Sequence, residues 1–290
     1  MIDRLCILGV GLIGGSVACA ARKRSLCREI VGIDLDRNNL LDAKRLGVID
    51  EGFEAFQFAD GTFDLVLLAT PVGSIGDLFG QLKTNWSDAT VYTDAGSTKC
   101  NVIQAAESAF GLVPRNFVPG HPIAGSERSG VTAANADLYQ GKRVILTPVC
   151  ETDAKAVGIV EDFWRRLGAS VSRMEPVHHD NILAATSHLP HVVAFSLVDM
   201  LGKKDEKDEI LQYAAGGFKD FTRLASSDPK MWLDICLANR GRIMSLIEDF
   251  RQELTLINGI LEQNRADELY ELFRSANNAR RRFLEQLDNE

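Results

Sequence analysis

The sequence of 290 residues lacks several features that would point to a function at once. It has no excess of positive charge, because 32 Lys and Arg residues stand against 40 Asp and Glu residues, for a formal net charge of −8. A chain of this charge is not expected to bind nucleic acid or an anionic membrane surface. No apolar run approaches the length of about 20 residues that a membrane span needs. No signal peptide is expected either, since residues 1–4 lead directly into a predicted strand.

Cysteine and histidine are too scattered to form a disulfide framework or a metal site. The six cysteines include no C-x-x-C pair, and no histidine lies near them at metal-ligand spacing. They are expected to be reduced core residues of a cytoplasmic protein. His178, His179 and Asp180 are interpreted as the start of a helix with its capping residues, because no further ligands fall at suitable spacing. No metal is therefore expected.

What the sequence does have is a glycine-rich turn between an apolar strand and a helix of small residues. Residues 5–8 are apolar, and a G-x-G-x-x-G turn follows them directly. In this context the first glycine permits the tight turn and the second lets the backbone approach a pyrophosphate. The third allows the helix to pack closely on the strand. The pattern predicts a dinucleotide-binding turn made of Gly9, Gly11, Leu12, Ile13 and Gly14.

A second predicted strand ends on Asp34, about twenty residues beyond the glycines, where dinucleotide-binding folds carry an acid. A carboxylate at this place binds the ribose hydroxyls of adenosine and repels a 2′-phosphate, which favours NAD and disfavours NADP. Asp34 also suits an ordinary turn at a strand end, and Arg37 would favour a 2′-phosphate if the loop bent toward it. The agreement in spacing between the glycines and the acid favours the cofactor interpretation.

Strands and helices alternate over residues 1–173, which predicts a doubly wound α/β domain of the Rossmann type. Residues 174–290 show only helical periodicity and predict an all-helical substrate and dimerisation domain. Helices this long are expected to share apolar faces with a second copy, so a homodimer is predicted. The helices of this second part are expected at 177–201, around Phe221, at 229–263 and at 266–287.

Ligands of an open α/β sheet bind beyond the carboxyl ends of its strands. Three segments occupy such positions: Thr70-Pro71, residues 94–99 and residues 120–127. His121 is followed by a proline, which keeps the preceding residue out of the helical region, so an extended, rigid loop is expected there. The position of His121 near Ser97 and the nicotinamide end of the crevice favours a catalytic histidine.

Six motifs occur in order over nearly the whole chain: G-x-G-L-I-G-G-S, D-x-G-S-x-K, G-H-P-I-A-G-S-E-x-S-G, S-H-L-P-H, G-G-F-K-D-F-T-R and S-D-P-x-M-W. Together they resemble the prephenate/arogenate (cyclohexadienyl) dehydrogenase family of tyrosine biosynthesis. The resemblance implies a Rossmann domain followed by a helical dimerisation domain. It also implies NAD(P)-dependent oxidative decarboxylation of prephenate to 4-hydroxyphenylpyruvate, or of arogenate to tyrosine.

The resemblance also implies roles for single residues. His121 is implied as the acceptor of the substrate's hydroxyl proton, with Ser97 bonded to the same hydroxyl. Arg223 is implied to bind a substrate carboxylate through its planar fork. His188 is implied to bind substrate, beside a kink expected at Pro190. Glu127, Lys219 and Asp220 are implied as ions that gate the pocket, and Trp232 is either a wall of the pocket or a core residue. Thr70 and Pro71 are expected at the cofactor.

Three other interpretations share part of this pattern. β-Hydroxyacid dehydrogenases and pyrroline-carboxylate reductases have a similar layout but lack the G-H-P-I-A-G-S-E loop. The former use a catalytic lysine on the long helix, whereas no lysine occurs between Val177 and Leu201. A non-catalytic NAD-sensing module gives His121, Ser97 and Arg223 no reason to converge. No residue in the sequence decides between prephenate and arogenate.

Overall fold

The computed structural model describes residues 2–56, 59, 61–126 and 128–288. A parallel sheet is built from β1 (Ile2–Leu8), β2 (Cys27–Ile33), β3 (Glu51–Phe53), β4 (Leu65–Leu68), β5 (Val91–Asp94) and β6 (Phe117–Val118). Its strands are ordered β3-β2-β1-β4-β5-β6, and every neighbouring pair is parallel. This order is that of a doubly wound dinucleotide-binding fold, with the crossover between β1 and β4.

Helices cover both faces of this sheet, which explains the continuous apolar runs in its strands. Leu5 and Ile7 of β1 pack into one core, and Cys6 and Leu8 pack into the core on the opposite face. The predicted α/β class is therefore confirmed. Five helices accompany the strands: α1 (Leu12–Lys23), α2 (Arg37–Arg45), α3 (Ile75–Leu82), α4 (Cys100–Phe110) and α5 (Ala154–Arg166).

A second sheet holds the G-H-P segment. It consists of β7 (Gly120–Pro122), β8 (Arg143–Leu146) and β9 (Ser170–Arg173), in that order. β7 runs antiparallel to β8, with His121 opposite Ile145. The prediction of a loop at 120–127 is therefore wrong for its first three residues, because their backbone pairs with β8. This pairing fixes the backbone on both sides of His121.

The described residues beyond β9 are helical, as predicted, but two of the predicted helices are interrupted. The stretch at 177–201 contains a π-helical turn just before Pro190, which has no N–H to bond to the carbonyl of Thr186. The single helix predicted at 229–263 is wrong, since two helices meet at Asn239. The elements are α6 (Pro176–Leu183), the π turn (Ala184–His188), α7 (Leu189–Gly202), α8 (Lys207–Gln212), α9 (Gly216–Thr222), α10 (Pro229–Ala238), α11 (Arg240–Glu262) and α12 (Ala266–Asp288).

The helical stretch Pro176–Gly202 is long and apolar enough to cross a membrane by length and composition alone, with a mean hydropathy of 1.3 in its most apolar window. The expectation that no apolar run approaches this length is therefore wrong for this stretch. Its polar residues His179, Asp180 and His188 are buried in the protein. Asp180 accepts hydrogen bonds from the backbone of α4, so this face of the stretch belongs to the protein interior.

By packing, the chain divides into two compact units, Met1–Arg242 and Ile243–Glu290. The first unit contains both sheets and helices α1 to α10. The second contains most of α11 and all of α12, and several of its large apolar side chains are exposed, among them Phe250, Leu254, Tyr270, Phe273 and Leu284. The boundary predicted near residue 174 lies inside the first unit and stays a prediction.

Candidate active site

The three glycines of the G-x-G-x-x-G turn differ in what a side chain would meet there. Gly9 has a φ of +93°, and a Cβ there would lie 2.6 Å from the carbonyl oxygen of Ala69. A Cβ on Gly14 would lie 2.0 Å from the carbonyl oxygen of Gly9, so only glycine lets α1 begin this close to β1. A Cβ on Gly11 would meet nothing within 4 Å. The space beside Gly11 is therefore open to a ligand.

Helix α1 begins at Leu12 and Ile13 with backbone N–H groups left for an anion. Its N-cap residue is Gly11, so no side chain caps the helix. Such N–H groups and the positive end of the helix dipole attract phosphate. The hydroxyl of Tyr139 donates to the carbonyl of Ile13 at 2.7 Å, which holds this first turn in place. The turn fits the pyrophosphate of a dinucleotide.

Asp34 combines the two uses that the sequence left open. One carboxylate oxygen accepts the N–H of Val10 at 2.9 Å, and the other accepts the N–H of Asp36 at 3.0 Å as in an ordinary turn. Asn39 donates to the first of these oxygens at 3.0 Å. Asp34 thus holds the glycine turn against the end of β2, and the oxygen bonded to Asp36, which accepts one hydrogen bond, keeps accepting capacity for a ribose hydroxyl. Arg37 is 80% exposed and lies 3.9 Å from Glu54.

Thr70 and Pro71 lie beyond the carboxyl end of β4, as predicted. The hydroxyl oxygen of Thr70 is buried and has no hydrogen-bond partner among the described residues. A buried hydroxyl without a partner is unfavourable, and a ligand bound at this end of the sheet would satisfy it. Pro71 is exposed and precedes a short 3₁₀ helix, Val72–Ser74. Thr70 and the open space at Gly11 are the two features of this edge that fit a bound cofactor.

We expect Gly11→Ala and Gly14→Ala to separate cofactor binding from folding. Gly11 has a φ of −80° and free space, so alanine is tolerated by the fold, but its methyl group occupies the place of the pyrophosphate. The Kd for NAD is expected to rise about tenfold or more, with an unchanged melting temperature. Gly14→Ala is expected to cost about 3 kcal/mol or more of unfolding free energy through overpacking. Thermal denaturation and NAD titration measure the two effects, and normal NAD binding by Gly11→Ala would contradict this placement of the pyrophosphate.

His121 belongs to a buried chain of three side chains that the sequence did not predict. Its Nδ1 lies 2.9 Å from Nε2 of His179, and Nδ1 of His179 lies 2.8 Å from a carboxylate oxygen of Asp180. Asp180 also accepts the backbone N–H of Lys99 at 2.8 Å and of Cys100 at 2.9 Å. Burial opposes ionisation of Asp180, but the hydrogen bonds from His179, Cys100 and Lys99 outweigh it and lower its pKa.

The direction of these hydrogen bonds sets the tautomer of His121. A carboxylate only accepts, so a proton of His179 is on Nδ1, and in the neutral ring its Nε2 carries a lone pair. That lone pair accepts from Nδ1 of His121, which leaves Nε2 of His121 unprotonated. Burial lowers the pKa of His121 well below 6.5, and repulsion from His179, Lys99 and His188 in their protonated forms lowers it further. His121 is thus a neutral imidazole with one free accepting nitrogen.

The interpretation of His178, His179 and Asp180 as helix caps is wrong. Glu175 caps α6, where its carboxylate accepts the N–H of Val177 at 2.9 Å and of His178 at 2.7 Å. Asp180 instead caps α4, which is 80 residues earlier in the chain. No local spacing signals such a contact. Among the described residues, no cluster of three or more His, Cys, Asp or Glu side chains is arranged to hold a metal ion.

A buried ion pair at the end of β5 holds the backbone next to His121. Lys99 and Asp94 are both fully buried and contact each other. Lys99 donates to the carbonyl of Gly120 at 2.7 Å, and Asp94 accepts the N–H of Gly120 at 3.0 Å. Both belong to the D-x-G-S-x-K motif, in which only Ser97 was given a role. Ser97 is half-buried between them, so its loop and His121 are held by the same pair.

Trp232 lies between two histidines of the helical region. Its ring stacks on His191 with a centroid separation of 3.6 Å and meets His188 nearly edge-on at 6.1 Å. Its Nε1 is buried and has no hydrogen-bond partner among the described residues. Burial lowers the pKa of His188 to about 4. An unsatisfied indole N–H beside a neutral histidine fits a pocket wall with a donor for a ligand.

Arg223 begins a 3₁₀ helix, Arg223–Ser226, directly after α9. The pKa of His191 is lowered, mainly by burial and also by the positive charge of Arg223, so the two side chains are near each other. The contacts therefore run from His121 through His179, Asp180 and Asn239 to His188, Trp232 and His191. Arg223 is near enough for its charge to act on His191. The structure brings these predicted residues into one region.

Lys219 and Asp220 are exposed on α9 and do not contact the chain of residues around His121. They lie three or four residues before Arg223, so only their position in the sequence places them near the pocket residues. Glu127 lies outside the described residues. The gating role that the sequence predicts for these three residues stays a prediction.

Two family models match almost the entire chain. The model described as prephenate dehydrogenase, nucleotide-binding domain, matches residues 17–173, and the model described as prephenate dehydrogenase, dimerization domain, matches residues 175–275. The prephenate dehydrogenase of Bacillus subtilis (strain 168) is 36% identical over 97% of this chain and 76% of its own length. The cyclohexadienyl dehydrogenase of Zymomonas mobilis is 34% identical over 97% of this chain and 96% of its own length.

Solved structures give the same answer. The prephenate dehydrogenase of Aquifex aeolicus, in complex with hydroxyphenyl propionate and NAD+, superposes with a TM-score of 0.90 at 37% identity, covering 97% of this chain and 98% of that one. The arogenate dehydrogenase of Synechocystis superposes with a TM-score of 0.78 at 24% identity, covering 97% of this chain and 99% of that one. The Synechocystis structure supports the fold alone.

Proposed function

The chain belongs to the prephenate dehydrogenase family, and on this premise we propose that it catalyses the NAD-dependent oxidative decarboxylation of prephenate to 4-hydroxyphenylpyruvate. The observation that carries the proposal is the neutral imidazole of His121, whose Nε2 is left free to accept a proton. The Aquifex relative, which binds NAD+ and hydroxyphenyl propionate, supports both the cofactor and an aromatic carboxylate ligand. The alternatives of a hydroxyacid dehydrogenase, a pyrroline-carboxylate reductase and an NAD-sensing module are not favoured.

His121 acts on the ring hydroxyl of the substrate. Its Nε2 accepts the hydroxyl proton while the C–H electron pair at C4 leaves as hydride. NAD, when bound at the glycine turn, supplies the hydride acceptor. The ring then loses its C1 carboxylate as CO2, and the electrons of that C–C bond make the ring aromatic. The oxygen at C4 recovers a proton from His121, so the histidine ends the cycle neutral.

Side chains around its imidazole hold His121 in a fixed orientation. The His179–Asp180 pair holds its Nδ1 and stabilises the imidazolium that forms after proton transfer, as an opposite charge in low dielectric does. The Lys99–Asp94 pair fixes the backbone of the preceding residue. Ser97, in the loop between these contacts, donates to or accepts from the same substrate hydroxyl. These residues position the base.

The other end of the substrate carries a side chain with its own carboxylate. Arg223 binds it with a charge-assisted contact, since its charge already acts on the pocket residue His191. The unsatisfied Nε1–H of Trp232 is a second donor for the same anion. Lys219, Asp220 and Glu127 gate the pocket. The family resemblance supports these roles, and the stacking of Trp232 on His191 supports its place in the pocket wall.

Arogenate is the second candidate substrate. It differs from prephenate by an ammonium group in place of the side-chain keto group, and both lose hydride and CO2 from the same ring. The Zymomonas relative is named a cyclohexadienyl dehydrogenase, which favours a pocket that accepts either compound. The hydroxyl, the ring and the carboxylates are shared, so the same residues serve both reactions.

The decisive experiment is an NADH-absorbance assay of the full chain with prephenate and with arogenate, each with NAD and with NADP. We expect turnover with prephenate and NAD, release of CO2, and a lower kcat/KM with NADP because Asp34 repels the 2′-phosphate. A hydroxyacid, or proline as the reduced partner of pyrroline carboxylate, serves as the control substrate and should not be oxidised. Absence of NADH formation with both dienes at millimolar concentration would overturn the proposal.

The protein acts as a cytoplasmic homodimer with a nucleotide-binding domain of residues 1–173 and a helical domain of residues 174–290. The dimerization model covers residues 175–275, and exposed apolar side chains on α11 and α12 suit a partner copy. A net charge of −8 disfavours nucleic acid and acidic membranes as partners. Sedimentation at micromolar concentration tests the dimer, and a monomer there would refute it.

A further inference from the structure

Asn239, at the junction of α10 and α11, links the surroundings of His121 to His188. Its Nδ2 lies 2.8 Å from the carbonyl oxygen of Asp180 and 3.2 Å from Nδ1 of His188. Its Oδ1 accepts from Arg242 at 3.1 Å. The Asn239 side chain is 1% exposed. The carboxylate of the same Asp180 bonds to His179, so one residue connects the surroundings of His121 and of His188.

The partners of Asn239 leave its amide only one orientation. A backbone carbonyl only accepts, and a guanidinium only donates. The NH2 group therefore faces Asp180, and the oxygen faces Arg242. The second hydrogen of the NH2 group then donates to Nδ1 of His188, which must carry a lone pair. Because a neutral imidazole has a single N–H, the proton of His188 is on Nε2.

We propose that Asn239, oriented by Arg242, is a positioning residue that holds His188 in its Nε2–H tautomer, so that His188 donates a hydrogen bond to a substrate carboxylate. Nε2 of His188 has no hydrogen-bond partner among the described residues and is free for this contact. Trp232, whose Nε1–H is the other unsatisfied donor, lies edge-on to the same ring. The two rings, with centroids 6.1 Å apart, offer two neutral donors to a carboxylate bound beside them.

The inference deepens the proposed function and rests on it for the identity of the ligand. It gives the pocket two histidines of opposite polarity: His121 accepts at the hydroxyl, and His188 donates at the carboxylate. Asp180 sets both tautomers. Its carboxylate fixes that of His121 through His179, and its carbonyl oxygen fixes that of His188 through Asn239. Burial lowers the pKa of His188 to about 4, which agrees with a neutral ring that is a donor by tautomer and not by charge.

The tautomers can be measured directly by NMR of the full chain labelled with ¹⁵N-histidine. The chain has five histidines. We expect His188 alone among the four buried or half-buried ones to show the Nε2–H pattern. His121 and His179 should show Nδ1–H, and so should His191, whose Nδ1 lies 2.8 Å from the carbonyl oxygen of Ser187. Signals are assigned by single His→Gln variants. An Nδ1–H pattern for His188 in the wild-type protein would overturn the proposal whatever the activity.

Asn239→Asp tests the cause of the tautomer. Its carboxylate keeps the contact with Arg242 but only accepts, so Nδ1 of His188 must take a proton. The other titratable groups that face His188 are Asp180 and His179 on α6 and His191 on α7, and the variant leaves them in place. We expect the Nε2–H pattern to be lost. Above the raised pKa of His188, the KM for prephenate should rise about tenfold or more because a lone pair then faces the carboxylate. The kcat should stay within about threefold, since the base His121 is unchanged.

Asn181→Asp is the matched control. Asn181 is exposed and accepts from the same Arg242 at 2.5 Å, so this variant places the same charge beside the same arginine without contacting His188. Its tautomers and KM should equal those of the wild type. The proposal fails if Asn239→Asp leaves both the His188 pattern and the KM unchanged, or if Asn181→Asp shifts them as much. If neither diene is turned over while His188 reads Nε2–H, the positioning stands and the substrate assignment falls.

Discussion

Replacement of His121 by asparagine is expected to lower kcat by about 10³-fold, within the range of general-base catalysis. The amide NH2 of asparagine can donate to Nε2 of His179 in place of the imidazole Nδ1–H, so the buried chain to Asp180 stays satisfied. Its oxygen is a weak base and cannot take the hydroxyl proton. The glycine turn is untouched, so the Kd for NAD should change less than twofold or so. Steady-state kinetics with prephenate and titration with NAD measure the two quantities.

His178→Asn provides the control for this prediction. His178 lies in the same helix as His179 and is exposed, and its backbone N–H donates to Glu175. This variant removes an imidazole of the same size and should keep the kcat of the wild type. If His121→Asn kept its turnover as well, the base would have to be another group. A loss of NAD affinity in His121→Asn would instead indicate a disturbed fold.

The pH profile of kcat offers a second test of His121. The base works when neutral, so kcat is constant above its pKa and falls as the pH drops through it. Burial and the neighbouring positive groups lower this pKa well below 6.5. We therefore expect no loss of kcat between about pH 8 and about pH 6, where an ordinary histidine would begin to protonate. An acidic limb centred near pH 6.5 would mean that His121 is solvated in the complex.

The fold could be predicted from the sequence where its signals are local. The apolar strand that contains residues 5–8 and the glycine turn after it are set by neighbours a few residues away, and both were predicted at the right place. The three-residue strand Glu51–Phe53 was missed because its residues are mostly exposed at the edge of the sheet. Its pairing with β2 depends on backbone contacts that leave no apolar pattern.

The parts of the site that were missed depend on residues far apart in the sequence. His121 stood out because of its glycine and proline neighbours, but its partner His179 is 58 residues away. Asn239 ends α10 in a region of unbroken helical periodicity, because its side chain bonds to Asp180 and His188 across the fold. Lys99 belongs to the D-x-G-S-x-K motif, but the sequence alone predicted no role for it. A buried lysine is informative only once its partner Asp94 is located.

Arg223→Ala is expected to raise the KM for prephenate by roughly 100-fold, the effect of removing one member of a charge pair that closes on substrate binding. The kcat should change far less, because the arginine binds a carboxylate that keeps its charge throughout the reaction, so the contact is equally strong in ground and transition states. Arg223→Lys should give an intermediate KM, since lysine keeps the charge but not the planar fork. Initial-rate kinetics at saturating NAD measure both.

Lys203→Ala is the control for the lost positive charge. Lys203 is exposed in the same helical region and pairs with Asp199 at 2.6 Å, so its removal changes the net charge equally without altering the pocket. Its KM should match that of the wild type. An equal rise of KM in both variants would indicate long-range attraction of the anionic substrate and no direct contact. High salt would then abolish the difference from the wild type, because screening acts on distant charges first.

The position of Arg223 can also be tested without substrate, through the titration of His191. The positive charge of Arg223 contributes to the lowered pKa of His191, behind the larger effect of burial. Removal of the arginine should therefore raise the pKa of His191 part of the way toward its ordinary value, and NMR of the ¹⁵N-labelled histidines follows it. A raised KM with an unmoved His191 would place the guanidinium away from Trp232 and its stacked histidine. The carboxylate would then have to be bound by His188 and Trp232 alone, whose two neutral donors supply less attraction than a charged fork.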